Sequence, residues 1–222
     1  MSNNIIHFPQ NNNIEPQLIS EDIYKEQLLE MEQSLSAGLP IINPNDNDIS
    51  DIPLIKQIRF FINQVACSKG IKLTKVGNLP PPIVKELYQQ GILKDYPIEH
   101  GISKLTKETD CNAIVLTRIL CEMSGLIKKR NGILTVTKKT SSIVATNQLL
   151  PLIFSTFTDK FSWAFFDGYP NDDIGQFGWW YSLALISQHG DIPRNSEYYA
   201  ENYFEIYPHL LTLKCKRVAP PS

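Results

Sequence analysis

The chain has 222 residues, 42% hydrophobic and 20% charged, with a formal net charge of −2. That is enough apolar material for one good core or two smaller ones without disulfide or metal staples, and two small domains are expected. No apolar run reaches the roughly 18 to 20 residues that a bilayer span needs, and MSNNIIHFPQNNN has neither a basic start nor a continuous apolar stretch; a soluble, cytoplasmic protein without membrane contact is expected.

The near-neutral total hides a segregation of charge. Residues 56–139 hold 15 Lys and Arg against 6 Asp and Glu, net +9, whereas residues 1–55 are net −8 and residues 140–222 net −3. A basic block between acidic flanks marks a face for a polyanion, or a basic surface masked by its own acidic arm.

Residues 1–20, rich in Asn, Gln and Pro, read as a tail. Ser20 caps a short acidic helix to Leu35, and residues 36–53 break all periodicity as a linker, which makes 1–53 an acidic, partly disordered arm. From Leu54 the apolar residues Ile55, Ile58, Phe61, Ile62 and Val65 recur at helical spacing until Gly70. Ile71, Leu73 and Thr74 then suit a short strand, and Gly77-Asn78 a turn. Pro80 to Pro82 open a helix carried by Ile83, Val84, Leu87 and Tyr88, and residues 92–109 read as irregular. Thr109 and Asp110 cap a third helix with the stripe Val115, Leu116, Ile119, Leu120 and Met123. Two β-branched runs then flank Asn131-Gly132, the strongest short hairpin signal.

Beyond the hairpin, Leu149, Leu150, Ile153, Phe154 and Phe157 predict a helix, and two aromatic-rich segments flank an acidic turn. Pro193 with Asn195 or Ser196 starts a helix through Tyr198, Tyr199, Tyr203 and Phe204, and YPHLL begins a last one. Residues 146–213 therefore read as a small all-helical domain and 214–222 as a tail. The expected fold class is mainly α, within α+β.

The order helix, strand, helix, helix, strand, turn, strand over residues 54–145 resembles the winged-helix variant of the helix-turn-helix. SGLIKKRNGILTVTKK is similar to the ending of many bacterial winged-helix regulators, with KLT at 72–74 as the third strand of the sheet. An eighteen-residue stretch before the third helix departs from the usual short turn. Together with FDGYPNDDIGQ and YAENYFEIYPHLL, residues 54–213 also resemble an uncharacterised bacterial family found with plasmid or insertion-element passenger proteins. The first resemblance implies a DNA-binding regulator; the second implies a domain layout and no activity.

Lys128, Lys129 and Arg130 precede the hairpin turn and Lys138 and Lys139 follow it, so the wing gathers five cations that can reach phosphates. Lys69, Lys72 and Lys75 extend the patch if the KLT strand pairs beside the wing. The plainer reading is an edge strand protected from aggregation by lysines. On the third helix only Asn112, Thr117 and Arg118 suit base edges, which favours general phosphate contact over sequence reading.

Winged helices also serve as protein docking modules. Trp179 and Trp180, adjacent on a helix and diverging by about 100°, mark a candidate surface for a partner or for self-association, although aromatic residues more often pack cores. Asp167, Asp172 and Asp173 could act as paired carboxylates, but such a string is more often a turn. No phosphate loop, nucleophile elbow or His-Glu-x-x-His string is present, and the four cysteines lack metal-ligand spacing. No catalytic residue, metal or cofactor is expected. Nucleic-acid binding or its regulation leads, a protein adaptor is the alternative, and an enzyme with a carboxylate site is the minor one.

Overall fold

The computed structural model describes residues 51–144, 148–169 and 173–212. The N-terminal tail, the Ser20–Leu35 helix, most of the 36–53 linker and the tail over 214–222 lie outside the described residues. The fold is mainly helical with one small antiparallel sheet, an α+β arrangement, as expected. Contacts divide the described chain into two units, 51–176 and 177–212. This division differs from the boundary expected at 145/146, and the reason is apolar: Leu149, Ile153 and Phe161 are buried in the same core as residues before 145.

In the first unit, helix α1 (Pro53–Cys67) opens on a proline, whose missing N–H would have had no partner in the first turn. Ile55, Ile58, Phe61, Ile62 and Val65 form its buried stripe, and each fully buried side chain of this kind contributes about 1.5–3 kcal/mol. Strand β1 (Ile71–Lys72), helix α2 (Pro81–Gln89) and the short α3 (Tyr96–Glu99) follow, the last inside the stretch expected to be irregular. Helix α4 (Asn112–Met123) leads into β2 (Ile127–Arg130) and β3 (Ile133–Val136). Between these strands Asn131 and Gly132 have φ of 50° and 71°, the two left-handed residues that a type I′ turn requires. Helices α5 (Thr140–Val144), α6 (Leu149–Asp159) and α7 (Trp163–Asp167) complete the unit.

The expected cap of α4 is displaced. Glu108–Asp110 forms a 3-10 turn and Cys111 takes the N-cap position without a side-chain bond. Asp110 Oδ2 instead accepts from the Thr106 hydroxyl at 2.6 Å and from the Thr106 and Lys107 backbone N–H groups at 2.8 and 2.9 Å. These bonds, the hydroxyl foremost, hold its carboxyl below the usual aspartate range.

The sheet order is β1-β3-β2, so the strand expected from KLT pairs with β3 and not with β2. Ile71, Leu134 and Ile127 are buried on the core face, where α1 packs against β3. The opposite face meets solvent.

In the second unit, α8 (Trp179–His189), α9 (Ser196–Ile206) and α10 (His209–Thr212) bury Tyr181, Leu185, Tyr203, Tyr207 and Leu210. Asn195 caps α9 as expected, its side chain accepting from Tyr198 N at 3.0 Å. The Tyr203 hydroxyl donates to the Phe177 carbonyl. Phe177 and Tyr181 stand edge-on to Tyr207 at 5.5 and 6.0 Å, a favoured geometry for aromatic pairs. Among the described residues no helix is long and apolar enough to cross a membrane.

Candidate nucleic-acid interface

Register places the wing cations on known faces of the sheet. Lys72 pairs with Ile133, and Ile133 with Arg130, so the three stand in one row across the strands. The next row on this face carries Thr135 and Lys128. Because side chains alternate along a strand, these residues point away from the face that buries Ile71, Leu134 and Ile127. With neighbouring strands about 4.8 Å apart, Lys72 and Arg130 are about 10 Å apart across β3, and Lys128 lies about 7 Å along β2 from Arg130. All three are exposed, and Ile133 between them is 40% exposed.

Among the described residues none of Lys72, Lys128, Lys129, Arg130 or Lys138 has a carboxylate partner within ion-pair distance. Lys129 belongs to the row of Ile71 and Leu134 but is exposed on β2, an edge strand. Lys75 is exposed in the turn after β1, and Lys138 is exposed beyond β3. Lys139 differs: its ammonium donates to the Ser124 carbonyl at 3.0 Å and closes the end of α4.

Helix α4 corrects two expectations about base reading. Thr117 is 0% exposed; its hydroxyl accepts from Gln57 Nε2 at 2.9 Å and donates to the Ala113 carbonyl at 2.7 Å. It is an interhelical bond inside the core. Arg118 has a side chain only 11% exposed, and its guanidinium is committed to three acceptors. Its Nε donates to Glu122 Oε1 at 2.7 Å, and one Nη donates to Glu108 Oε2 at 2.8 Å and to the Gly77 carbonyl at 2.9 Å. Of the three expected readers only Asn112, at the first turn, is exposed. Along the same helix Val115, Ile119 and Met123 line a shallow groove of about 380 Å³ together with Glu108, Arg118 and Glu122.

Glu108, with a side chain 5% exposed, is the participant that sequence reading missed. It falls in a stretch without periodicity, and no local signal marks it.

In the second unit Trp179 is half-buried, and the Trp180 side chain lies outside the described residues. Asp172 and the Asp167 side chain also lie outside them, so the carboxylate cluster is described only at Asp173. Cys111 and Cys121 are fully buried free thiols, and burial pushes both thiol pKa values up, as expected of small buried hydrophobes. Among the described residues no group of three His, Cys, Asp or Glu side chains forms a metal site.

Residues 50–149 match the family model described as the Y4jL N-terminal domain, a span that holds strands β1 to β3 and helices α1 to α5. The chain is similar to that family over this span. Comparison with curated proteins and with solved structures gives no match.

Proposed function

We propose that this chain is a binding module, not an enzyme, that contacts the phosphates of nucleic acid through the solvent face of its sheet and the hairpin at its edge. The observation that carries this reading is the row Lys72, Ile133, Arg130, joined by Lys128, in which no cation has a carboxylate partner among the described residues. Unneutralised cations on one rigid face release counterions from a polyanion when they bind it. The order α1, β1, α2, α4, β2, β3 supports reading residues 54–145 as a winged helix with Lys128, Lys129 and Arg130 in its wing. With Thr117 and Arg118 committed inside the fold, binding is weakly sequence-specific.

Anisotropy titrations against unrelated duplexes across a salt series test this. Replacing Lys128, Lys129 and Arg130 together by Ala should weaken all duplexes about equally and lower the salt slope by roughly one unit for each lost phosphate contact. Absence of affinity for any duplex or single strand at low salt sinks the reading.

The rival reading is a protein adaptor, favoured by the groove along α4, where Val115, Ile119 and Met123 share the lining with charged residues. In the second unit, Trp179 and Trp180 are the candidate anchors of such a partner or of self-association.

A further inference from the structure

The buried charges around Arg118 fix a turn. Thr74 donates its backbone N–H to Asn78 O at 2.8 Å, Gly77 N donates to Thr74 O at 2.9 Å, and Asn78 N donates to the Thr74 hydroxyl at 3.0 Å. Gly77 sits at φ 85°, where a side chain would be strained. From below, Arg118 donates to the Gly77 carbonyl and Glu108 accepts from Leu79 N at 2.6 Å while bridging to Arg118. Two charged groups are thus withdrawn from water to grip the backbone of residues 77–79, and such burial stabilises little by itself because desolvation offsets the attraction.

What the turn displays is Lys75, exposed, and Val76, 83% exposed. The chain enters it from β1 through Leu73 N, which bonds Gly132 O at 2.8 Å, so the turn begins beside the hairpin at the Lys72 end of the basic row. The tip thus holds one cation and one bare apolar side chain, pinned by backbone hydrogen bonds, at the margin of a basic face.

We propose that the Lys75–Val76 tip is a second contact element for double-stranded nucleic acid, with Lys75 on a backbone phosphate and Val76 against the sugars, and that Arg118 and Glu108 are its positioning residues. This rests on the nucleic-acid reading above. The sheet face offers only Ile133 as an apolar group and no aromatic ring in the rows that pair across it, which suits a duplex backbone better than stacked single-strand bases.

The test uses the full chain, a random-sequence 20-base-pair duplex and the matching single strand, titrated by anisotropy across a salt series. Lys75→Ala should lower the salt slope by about one unit, with an unchanged melting temperature. Val76→Ser should weaken duplex binding severalfold with the slope unchanged. Glu108→Gln carries the opposing signs: loss of a negative charge alone predicts tighter binding, whereas loss of the clamp predicts weaker binding. Combined with Lys75→Ala it should lower the salt slope no further and weaken binding no more than Val76→Ser does, because both act through one tip. A Lys75→Ala protein with the parent slope overturns the inference, as does tighter binding by folded Glu108→Gln or a single strand bound as tightly as the duplex. If Glu108→Gln does not fold, Lys75→Ala and Val76→Ser decide. Slope lost on replacing Lys128 but kept on replacing Lys75 removes the tip and leaves the sheet face standing; no binding to either nucleic acid removes both.

Discussion

On the solvent face of the sheet Lys72, Lys128 and Arg130 have no carboxylate partner among the described residues, whereas on α4 the guanidinium of Arg118 is held by two carboxylates and a carbonyl. Both regions belong to the same basic block of sequence. The difference lies in their neighbours. Strands β1 and β2 are edges of a three-stranded sheet whose outer rows hold no acidic residue, while α4 lies against the 3-10 turn that supplies Glu108 and carries Glu122 one helical turn beyond Arg118. A cation is available for binding only where the fold leaves its charge unanswered.

The largest effect follows from that contrast. Replacing Arg118 by Ala leaves Glu108 buried without its counter-ion and should cost about 3 to 5 kcal/mol, read as a fall in the urea midpoint. Replacing Lys128 or Arg130 by Ala should move stability by no more than about 0.5 kcal/mol, while weakening nucleic-acid binding. Equal stability losses at Arg118 and Arg130 would erase the distinction between a structural and a displayed cation.

The same distinction can be sharpened within α1, where two glutamines a heptad apart are both buried. Gln57 donates to Thr117 and to the Ala113 carbonyl, at 2.9 and 3.3 Å. Gln64, 8% exposed, has neither side-chain amide atom bonded among the described residues. Gln57→Leu should therefore destabilise by about 1 kcal/mol or more, and Gln64→Leu should stabilise by a similar amount, since an unpaired buried amide carries its full desolvation penalty. Thermal or chemical denaturation of the two variants side by side checks the opposite signs.

How much of this was legible in the sequence depends on how local each signal is. The hairpin could be read because Asn131-Gly132 and the flanking β-branched residues specify it within a few positions. Helices α1, α2 and α4 could be read from their own periodicity and from the prolines that open the first two. The roles of Thr117 and Arg118 could not, because their partners Gln57, Gly77 and Glu108 lie 60, 41 and 10 positions away. Nothing in a one-dimensional pattern distinguishes an arginine facing solvent from one facing a carboxylate brought in by an irregular loop. The division at 176/177 escaped for a similar reason: α6 carries the same kind of apolar stripe whether it packs on α4 or on a later helix, and only the burial of Leu149 and Ile153 in the first core decides.

A smaller effect concerns the charge balance around the displayed cations. Residues 1–55 carry net −8 next to a block of net +9. By charge alone, removing residues 1–53 should raise affinity for a duplex severalfold at low salt and steepen its salt dependence, because a polyanion then meets less opposing field. Titration of the truncated and full chains at two ionic strengths measures this; identical curves would show that the sheet cations act unmodified by the acidic segment.

The smallest effect is a matter of acid titration at Asp110, two residues after Glu108, a carboxylate held by hydrogen bonds where Glu108 has a counter-ion besides its bond from Leu79 N. Its carboxyl is held below the usual range by the Thr106 hydroxyl and two backbone N–H groups. A folded pKa below the unfolded one means that the contribution is fully present above the unfolded value, near 3.9, and is lost as pH falls through the folded value. Asp110→Asn should thus be less stable than the parent at neutral pH, with the gap closing only below about pH 4. Carboxyl titration by NMR should place Asp110 below an ordinary aspartate. A midpoint at the ordinary value, or a stability gap independent of pH, would mean that the turn leading into α4 is held by its backbone alone.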